Sequence, residues 1–567
     1  MDMEKTNQTP PQRVSNTPSL SLIPLGGMED VTKNMYVYEY KDEILIVDCG
    51  IGFADASMLG VDLLLPDITY LLQTKKKIVG IILSHGHEDH IGAVPYILPQ
   101  LPPHIPVFAS PFTAALTNEK LREFKMHPSV KTVEFHDKPL SLGSFTVNLI
   151  RITHSVPDST NIVIRTPAGI FYHGSDFKID LTPHDQQRMD FQSIVKVGNE
   201  GVLAMLTDSL GSDRPGHTPS EDGLQQSFEN ALQHCKGKLI VTTYSSNVAR
   251  INQIIAASER FKRRVCFVGR SLIKVADVAK RAGYLEVKDG TIIELEHLTN
   301  YPDSQVVMIA AGSQGQENSA LTRIAEGEHR DVKLTPDDIV IFSADPIPGN
   351  EEPVNQLIDT IAKRGATVLT SGQGTLYHVS GHGSQQDHLL MMSLIKPRYI
   401  TPISGNYKHL LGYQKLAMKM GYKAKDVLLL ENGQEVIFSK EGITFGRRIQ
   451  TKNVYVDQVS GEEVEGFVLR DREKLAKDGI IILMIEINAS DGQLSGTPDI
   501  IERGFLPKES EMLQGTLMKE IKTVLSSKKG RVTNWVHLRK QLEEVSSKHI
   551  FRKFRRRPLV LPVIIEV

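Results

Sequence analysis

The sequence predicts a mixed α/β protein with sheets covered by helices, a separate parallel-sheet domain and a small α+β domain at the C-terminal end. Three observations support this fold class. Apolar runs of strand length recur through the first 219 residues and are interrupted by a helix-like stretch at 111–124. From residue 220 strands and helices alternate, which is typical of a parallel sheet. After residue 464 two helical stretches lie between two strand-like runs.

Each part differs in composition and in the order of its predicted strands, helices and turns. Residues 1–18 are rich in Gln, Asn, Thr and Pro without apolar periodicity, so we expect a disordered tail there. The first folded part covers 19–219 and opens with strands that end in polar or Gly-bearing loops. The parallel-sheet domain then covers 220–384, and 385–451 adds a helix, a strand and a second helix. Residues 452–463 resemble a linker to the last domain, 464–567.

Composition and charge exclude several classes of protein. The formal net charge of the 567 residues is -2, so a nucleic-acid partner would need local basic patches. The three cysteines are widely spread, which excludes a disulfide framework and fits a reducing compartment. No apolar run approaches about 18 residues, so we expect no membrane span. No basic segment followed by an apolar one opens the chain, and we therefore expect a cytoplasmic protein.

A cluster of potential metal ligands follows the apolar run at 78–83. It reads Ser-His-Gly-His-Glu-Asp-His over residues 84–90, which places it at the carboxyl end of a buried strand. His85 and His87 can reach one ion, while Asp89 and His90 can reach a second. Imidazole nitrogen and carboxylate oxygen are ligands that zinc takes readily. The alternative is a polar turn with surface histidines, and the dense spacing argues against it.

Three more polar residues follow apolar strands and extend the predicted metal site. They are Asp48, His154 and Asp176. A single His or Asp at a strand end is more often a capping or turn residue. Together with the cluster at 84–90, they indicate one metal centre gathered at a sheet edge.

The order of these motifs resembles the metallo-β-lactamase superfamily, and the inserted parallel sheet resembles its β-CASP branch. Over nearly its whole length after the first 18 residues, the chain resembles bacterial ribonuclease J. The stretches that carry the resemblance lie at 85–92, 153–159, 173–178, 245–248, 312–315, 346–350, 378–383 and 556–567. The resemblance implies a metallo-β-lactamase αββα sandwich formed by 19–219 and 385–451, an inserted β-CASP domain at 220–384 and a small α+β C-terminal domain.

The resemblance also implies a role for each predicted ligand. Two zinc ions per chain are implied, with Mn²⁺ as an alternative metal, and a hydroxide between them would attack the phosphorus. One ion would be held by three histidines, the second by a carboxylate and a histidine, and one carboxylate would bridge both. Asp48 would orient ligands from outside the metal shell. His85, His87 and His154 would hold the first ion, Asp89 and His90 would hold the second, and Asp176 would bridge both.

A second group of residues is implied to bind and process the substrate. His382 would stand near the scissile phosphate with Asp208 as its partner and assist proton transfer. Substrate phosphates would be contacted by the loop His378, Val379, Ser380, Gly381 and His382. A terminal 5′-monophosphate would be gripped by Ser245, Ser246 and Asn247. Judged from its residues alone, this Ser-Ser-Asn stretch is more simply a helix cap.

The chain departs from the family at one metal ligand. Ribonuclease J has Pro-x-His-Gly at a place where this sequence has Pro402-Ile403-Ser404-Gly405. A serine hydroxyl is a poorer ligand than imidazole, so we expect a weak or partly occupied second site. His409 follows on the next helix, and we do not expect it to substitute. Asp457 matches a family position linked to a structural cation such as Ca²⁺.

Two functions compatible with this site remain open at the level of sequence, and a small-molecule hydrolase of the same superfamily is a distant third, since it would not need the inserted domain. The first is a zinc-dependent ribonuclease with 5′→3′ exonuclease and endonuclease action in RNA processing and decay, acting on single-stranded, 5′-monophosphorylated RNA. The second is a weakly active paralogue kept as a structural partner in a mixed ribonuclease complex, which Ser404 favours. The resemblance implies a homodimer or homotetramer, with a paralogue as a further partner.

Overall fold

The computed structural model describes residues 17–55, 57–347, 349–372, 375–457, 462–488, 490, 495–526 and 535–567. Most of the predicted disordered tail, residues 1–16, therefore lies outside the described residues. The chain divides into two compact units. The first is formed within Met1–Gly52 and Leu65–Asn453, and the second within Phe53–Leu64 and Val454–Val567.

The strands are numbered here in chain order. They are β1 Ser19–Gly26, β2 Met35–Tyr40, β3 Glu43–Val47, β4 Gly52–Phe53, β5 Leu63–Leu65, β6 Lys77–Leu83, β7 Val107–Ala109, β8 Val130–Thr132, β9 Leu140–Leu142, β10 Phe145–Arg151, β11 Thr160–Thr166, β12 Gly169–His173, β13 Val202–Asp208, β14 Leu239–Thr242, β15 Arg264–Val268, β16 Val306–Ala310, β17 Ile339–Phe342, β18 Thr367–Leu369, β19 Tyr399–Ile403, β20 Gln434–Ser439, β21 Ile443–Arg448, β22 Val454–Val456, β23 Ile480–Ile487, β24 Asp499–Arg503 and β25 Leu559–Glu566.

The helices are numbered in the same way. They are α1 Thr69–Gln73, α2 Glu88–Ile91, α3 Val94–Ile97, α4 Pro111–Glu123, α5 Phe191–Glu200, α6 Leu224–His234, α7 Val248–Arg260, α8 Arg270–Arg281, α9 Ala320–Glu326, α10 Glu351–Lys363, α11 Gln385–Ile395, α12 Tyr407–Lys419, α13 Gly466–Asp478, α14 Pro507–Ser526 and α15 Trp535–Phe554.

Two sheets pack face to face in the first unit. Their strand orders are β21-β20-β1-β2-β3-β6-β7-β8 and β19-β13-β12-β11-β10-β9. Alternate residues of each sheet point into the shared core, for example Tyr38 and Leu45 from one sheet and Ile162 and Phe171 from the other. Helices α5, α11 and α12 bury apolar side chains against the outer face of the second sheet. The predicted sandwich of sheets covered by helices is confirmed.

The parallel-sheet domain is an insertion into the second of these sheets. Strands β13 and β19 pair in parallel, with Asp208 opposite Ile403, so the chain leaves this sheet after Asp208 and rejoins it at β19. Between them lies a sheet of order β15-β16-β14-β17-β18 in which each described pairing is parallel, as predicted. Helices α6, α7 and α8 cover one face, and α9 and α10 cover the other. Ligands of such sheets bind beyond the carboxyl ends of the strands.

The second unit has its own small core. Strands β24-β23-β25 form a sheet, and helices α14 and α15 bury leucines and isoleucines against it. The stretch predicted as a linker, 452–463, contains strand β22, which joins β5 and β4 in a small sheet; residues 458–461 lie outside the described residues. The predicted α+β character of this part is confirmed.

Candidate metal centre

The cluster at 84–90 lies where a buried parallel strand ends and a short helix begins. Strand β6 runs beside β3 and is buried from Ile78 to Leu83. His85 follows it at once, and His87 is the first residue outside helix α2, which carries Asp89 and His90. The change from extended to helical backbone turns neighbouring side chains in different directions. One stretch of seven residues can therefore supply two groups of ligands.

Three imidazoles converge on one point and form the first ligand group. The Nδ1 atom of His87 lies 3.1 Å from the Nε2 atom of His85 and 3.1 Å from the Nε2 atom of His154. The Nδ1–H group of His154 donates to the carbonyl oxygen of Gly381 at 2.6 Å, which leaves its Nε2 lone pair facing the other rings. Burial holds the pKa of His85 and His154 well below the usual range and lowers that of His87 to about 3. Three neutral rings with converging lone pairs suit a zinc ion.

The second ligand group consists of Asp89, His90 and Asp176. The Nε2 atom of His90 lies 3.4 Å from the Oδ2 atom of Asp176 and 3.5 Å from that of Asp89. Burial raises the pKa of Asp89 to about 6. Burial opposes the charged form of His90, but the carboxylates of Asp176, Asp89 and Asp48 together raise its pKa well above the usual value. A buried cation is therefore favoured at this position.

Asp48 fixes the orientation of His90. Its Oδ2 atom accepts from the His90 Nδ1 atom at 2.7 Å, so the Nε2 atom faces the ligand group. The carboxylate is held in turn by the backbone N–H of Ser84 at 2.7 Å and the Ser84 hydroxyl at 2.8 Å. Asp48 has a φ of 62°, a left-handed conformation that is uncommon outside glycine. The geometry fits the orienting role that the resemblance implied.

Asp176 lies between the two ligand groups. Its Oδ2 atom is 3.9 Å from the Nε2 atom of His85 as well as 3.4 Å from that of His90. Its Oδ1 atom is buried and has no hydrogen-bond partner among the described residues. An unpaired buried carboxylate oxygen carries a large desolvation cost, which a metal ion would remove. The donor set therefore fits two ions that share Asp176.

A third group pairs Asp208 with His382. The Nδ1–H group of His382 donates to the Oδ2 atom of Asp208 at 2.8 Å, and the Oδ1 atom of Asp208 accepts from the backbone N–H of Leu210 at 2.8 Å. Burial lowers the pKa of His382, but Asp208 outweighs this effect and the pKa rises to about 9. Burial raises the pKa of Asp208. The rings of His382 and His154 lie 5.3 Å apart, so this pair borders the first ligand group.

Ser404 is connected to the second ligand group through Asn34. Ser404 is buried, has a φ of 53° and donates its hydroxyl to the Oδ1 atom of Asn34 at 3.1 Å. The same oxygen accepts from the Tyr36 hydroxyl at 2.9 Å. His409 lies on α12, with its Nε2 atom 3.6 Å from Asp213, and belongs to none of the ligand groups found among the described residues.

Asn34 is a site residue that the sequence reasoning missed. Its Nδ2 atom donates to the carbonyl oxygens of Val31 at 3.1 Å and Asp89 at 3.2 Å, and lies 3.2 Å from the Nε2 atom of His90. The two carbonyls define which end of the amide carries nitrogen. The amide thus presents N–H groups, not a lone pair, to the nitrogen that faces the second ligand group. The only sequence signal is a polar residue directly before the buried strand β2.

The predicted phosphate-binding residues lie in two loops. Asn247 caps helix α7 through its Oδ1 atom, which accepts from the backbone N–H of Arg250 at 3.0 Å, so the capping alternative is confirmed for this residue. Ser245 and Ser246 are half-buried beside it. In the other loop, Val379 packs in the core of the parallel-sheet domain, and the Ser380 hydroxyl accepts from the backbone N–H of His382 at 3.1 Å.

The loop at 378–382 reaches the metal centre through its glycine. A Cβ atom on Gly381 would lie 2.7 Å from the Cε1 atom of His154, so only glycine brings this backbone so close. The described residues contain three groups of at least three ligating side chains, and Asp457 belongs to none of them. Those groups are His85, His87, His154 and Asp176; Asp89, His90 and Asp176; and Asp176, Asp208 and His382.

Family models match four consecutive parts of the chain. The metallo-beta-lactamase superfamily model matches residues 29–230, and the model of the ribonuclease J beta-CASP domain matches 236–361. The model of the Zn-dependent metallo-hydrolase RNA specificity domain matches 375–428, and that of the ribonuclease J C-terminal domain matches 467–567. These matches confirm the predicted fold class, with an inserted β-CASP domain and a separate C-terminal domain.

Curated relatives match nearly the whole chain. Ribonuclease J2 of Bacillus subtilis is 35% identical over 97% of this chain and 99% of the relative. Ribonuclease J of Thermus thermophilus is 35% identical over 96% of this chain and 95% of the relative. Ribonuclease J of Synechocystis is 34% identical over 96% of this chain and 87% of the relative.

A solved structure supports the fold alone. A protein of unknown function from Enterococcus faecalis V583 superposes with a TM-score of 0.53 at 16% identity, covering 74% of this chain and 100% of that chain. Among the helices of the described residues, none combines the length and apolar character needed to cross a membrane.

Proposed function

This chain belongs to the ribonuclease J family, and on that premise we propose that it is a zinc-dependent ribonuclease with 5′→3′ exonuclease and endonuclease action. Membership alone makes it a metallo-hydrolase that processes RNA. The observation that carries the finer proposal is the convergence of three neutral imidazoles next to a second group that shares Asp176. This arrangement suits hydrolysis of a phosphodiester without a covalent protein intermediate.

The residues of both ligand groups fit divalent ions. His85, His87 and His154 would hold one ion, Asp89 and His90 the second, and Asp176 both. Bound ions would lower the pKa of an attacking water, neutralise phosphate charge and align the displacement. Asp48 keeps the Nε2 atom of His90 facing inward.

His382 would act as the proton donor. Its Nδ1–H group is committed to Asp208, and its raised pKa keeps a proton on the Nε2 atom at neutral pH. That proton can pass to the leaving oxygen of the RNA. Asp208 stabilises the charged ring and fixes its orientation.

The N-terminus of α7 supports binding of a 5′-monophosphate. The helix runs over 13 residues from Val248, and its first turn follows Ser245, Ser246 and Asn247. Backbone N–H groups, two hydroxyls and the helix dipole at this place favour an anion. His378, whose Nδ1 atom lies 3.4 Å from the Nη1 atom of Arg250 in the first turn of α7, would contact the same phosphate. Ser380, Gly381 and His382 would line the path of the backbone phosphates towards the metal centre.

We propose that the second ion binds more weakly than the first. Asp89, His90 and Asp176 would be its three ligands. Ser404 replaces the histidine that the family pattern has at this position and donates its hydroxyl to Asn34, whose Nδ2 atom lies 3.2 Å from the Nε2 atom of His90. Ser404→His tests this idea, since histidine tolerates the left-handed backbone better than most residues. We expect a second tightly bound zinc per chain and higher activity. Two tightly bound ions in the wild type with no gain in the variant would contradict it.

One assay tests the function as a whole. Purified protein is given a single-stranded RNA with a 5′-monophosphate, with zinc or manganese added. Stepwise release of mononucleotides from the 5′ end supports the proposal. RNA binding without cleavage under either metal would contradict it and leave the chain as a structural partner in a mixed ribonuclease complex.

Assembly and compartment complete the proposal. The three buried free cysteines, Cys49, Cys235 and Cys266, suit the reducing cytoplasm. We propose a homodimer or homotetramer. Light scattering coupled to size-exclusion chromatography tests this by measuring the molar mass of the assembly. A structural Ca²⁺ near Asp457 stays a prediction, testable by calcium analysis of Asp457→Asn.

A further inference from the structure

A buried network of charges lies between the metal centre and the phosphate pocket. At its centre is Glu221, whose Oε1 atom accepts from the Nζ atom of Lys178 at 3.0 Å. Its Oε2 atom accepts from Arg250 twice, from Nη2 at 2.6 Å and from Nε at 3.1 Å. The side chains of Lys178 and Arg250 are 1% and 0% exposed. Charges so deeply buried are tolerated only when paired and hydrogen-bonded, as they are here.

The lysine end of the network is attached to the metal centre. Lys178 follows Asp176 by two residues, and its backbone N–H donates to the carbonyl oxygen of Thr153 at 2.9 Å. The Thr153 hydroxyl donates back to the carbonyl oxygen of Lys178 at 2.6 Å. Thr153 directly precedes His154. Lys178 is therefore tied to the two segments that carry the ligands His154 and Asp176.

The arginine end is attached to the phosphate pocket. Arg250 lies in the first turn of α7, and its backbone N–H donates to the Oδ1 atom of Asn247 at 3.0 Å. Its Nη1 atom donates to the carbonyl oxygen of Ser343 at 3.0 Å and to the Ser343 hydroxyl at 2.7 Å, and lies 3.4 Å from the Nδ1 atom of His378. Arg250 thus touches both loops that the proposed function assigns to the terminal phosphate.

Glu221 itself is held in place from two sides. Its backbone N–H donates to the Oδ2 atom of Asp180 at 3.0 Å, and its carbonyl oxygen accepts from Gln253 at 2.6 Å. Burial disfavours the carboxylate, yet Arg250 and Lys178 hold its pKa at about 2, so it stays charged at neutral pH. The planar fork of arginine fixes orientation as well as distance.

We propose that Glu221 and Arg250 are positioning residues that set the spacing between the metal centre and the terminal-phosphate pocket, and thereby the selectivity for 5′-monophosphorylated RNA. The inference rests on the proposed function. An exonuclease that releases mononucleotides must hold the terminal phosphate one nucleotide away from the scissile bond. One carboxylate joined to both subsites fixes that distance before the RNA arrives. Misplacement by about 1 Å can cost roughly 100-fold in rate.

Two variants and one matched control test the proposal in the zinc-loaded, full-length protein. Glu221→Gln keeps the size of the side chain and removes its charge. Arg250→Lys keeps the charge but removes the planar guanidinium group that donates two hydrogen bonds to Glu221. Asp338→Asn is the control. Asp338 forms a buried salt bridge with Lys238 at 3.1 Å, and both residues lie at the amino ends of strands β17 and β14, away from the network at their carboxyl ends. Each protein is given RNAs identical except for a 5′-monophosphate or a 5′-hydroxyl, and a circular RNA that has no end.

We expect both variants to lower the ratio of kcat/KM for the 5′-monophosphate over the 5′-hydroxyl RNA by about tenfold or more. Zinc per chain and cleavage of the circular RNA should stay near the wild-type values, and Asp338→Asn should keep the wild-type ratio. Binding of a cleavage-resistant 5′-phosphorylated oligonucleotide, measured by fluorescence anisotropy, should weaken in parallel.

Two outcomes would overturn the inference. In the first, Arg250→Lys keeps the wild-type ratio. In the second, all three RNAs lose activity equally together with zinc, which would indicate a purely structural role. If Glu221→Gln does not fold, Arg250→Lys decides alone. A wild type that cleaves no RNA, or that ignores the 5′ end, would overturn the proposed function first and the inference with it.

Discussion

The two ligand groups of the metal centre lie side by side, yet they are built differently. The first consists of three neutral histidines whose lone pairs converge, with the His154 ring fixed by the carbonyl oxygen of Gly381. The second has two carboxylates around His90, and the N–H groups of Asn34 lie next to the nitrogen that would bind the ion. The comparison indicates that one stretch of sequence can contribute to two ligand groups of different composition. The difference comes from residues outside the stretch.

Removing a ligand of the first group should have the largest effect. His87→Ala takes away the ring that lies 3.1 Å from both His85 and His154. We expect activity to fall by about 1,000-fold or more, since a bound ion contributes several kcal/mol to the transition state. Elemental analysis should show the loss of one zinc per chain. His104→Ala, an exposed histidine, is the control. Retained zinc and retained activity in His87→Ala would contradict the assignment of His87 to the first ligand group.

Asp208→Asn should lower activity without touching either ligand group. It removes the charge that stabilises protonated His382, and we expect a loss of about 100-fold, typical of general acid catalysis. Zinc per chain should not change. A parallel loss of zinc would show that Asp208 serves the metal centre rather than proton transfer.

The same pair predicts a pH dependence of stability in the metal-free protein. The pKa of His382 is raised to about 9 in the folded state, above the value of about 6.5 expected when unfolded. The stabilisation is therefore fully present below about pH 6.5 and is lost as the pH rises through 9. The difference in Tm between wild type and Asp208→Asn should be largest near pH 6 and shrink towards pH 9.5. A constant difference would contradict this assignment.

Asp48→Asn should lower the zinc affinity of the second ligand group more than that of the first. Asp48 accepts from His90 and does not contact the rings of His87 or His154, so the second ion should weaken by about 10- to 100-fold, the range for residues that orient ligands. The first ion should be affected less. Calorimetric titration of the metal-free protein with zinc measures the affinity of each site separately. Equal weakening of both would remove the distinction between the groups.

Ser404→Ala should have the smallest effect. The hydroxyl donates to Asn34, and its loss removes one hydrogen bond, worth about 1 kcal/mol of folding stability. Tyr36→Phe removes the other donor to the same oxygen and is the matched comparison. Zinc content should stay the same in both variants. Loss of the second ion from Ser404→Ala alone would show that the serine is a ligand.

Local patterns were enough to predict most of the sandwich and the parallel sheet. The strand at 78–83 and the helix at 111–124 appear within a few residues of their predicted bounds, because apolar spacing and turn residues are local signals. Helix α5 and the strand inside the predicted linker were missed. β22 is only three residues long and is defined by its pairing with a distant segment, which no local pattern reveals.

The candidate site shows the same limit. His85, His87 and His90 share one recognisable motif, and His154, Asp176 and Asp48 each follow a strand. Asn34 approaches His90 from 56 residues away in sequence, and its amide direction depends on two main-chain carbonyls. The charged network around Glu221 joins residues from three separate segments. Such contacts follow from tertiary packing and not from residue spacing.

The hydrogen bond from His154 to Gly381 has a consequence for how this chain can change. The acceptor is a main-chain oxygen, so the side chains of the loop do not supply it, and with His154 in place only a shift of the loop backbone can remove the bond. A change in the length or path of the loop at 378–382 would cause such a shift. Insertions and deletions there should therefore be far less tolerated than point changes at its outward-facing positions. The orientation of His154 thus depends on the length of this loop and on the glycine at 381, rather than on the other side chains of the loop.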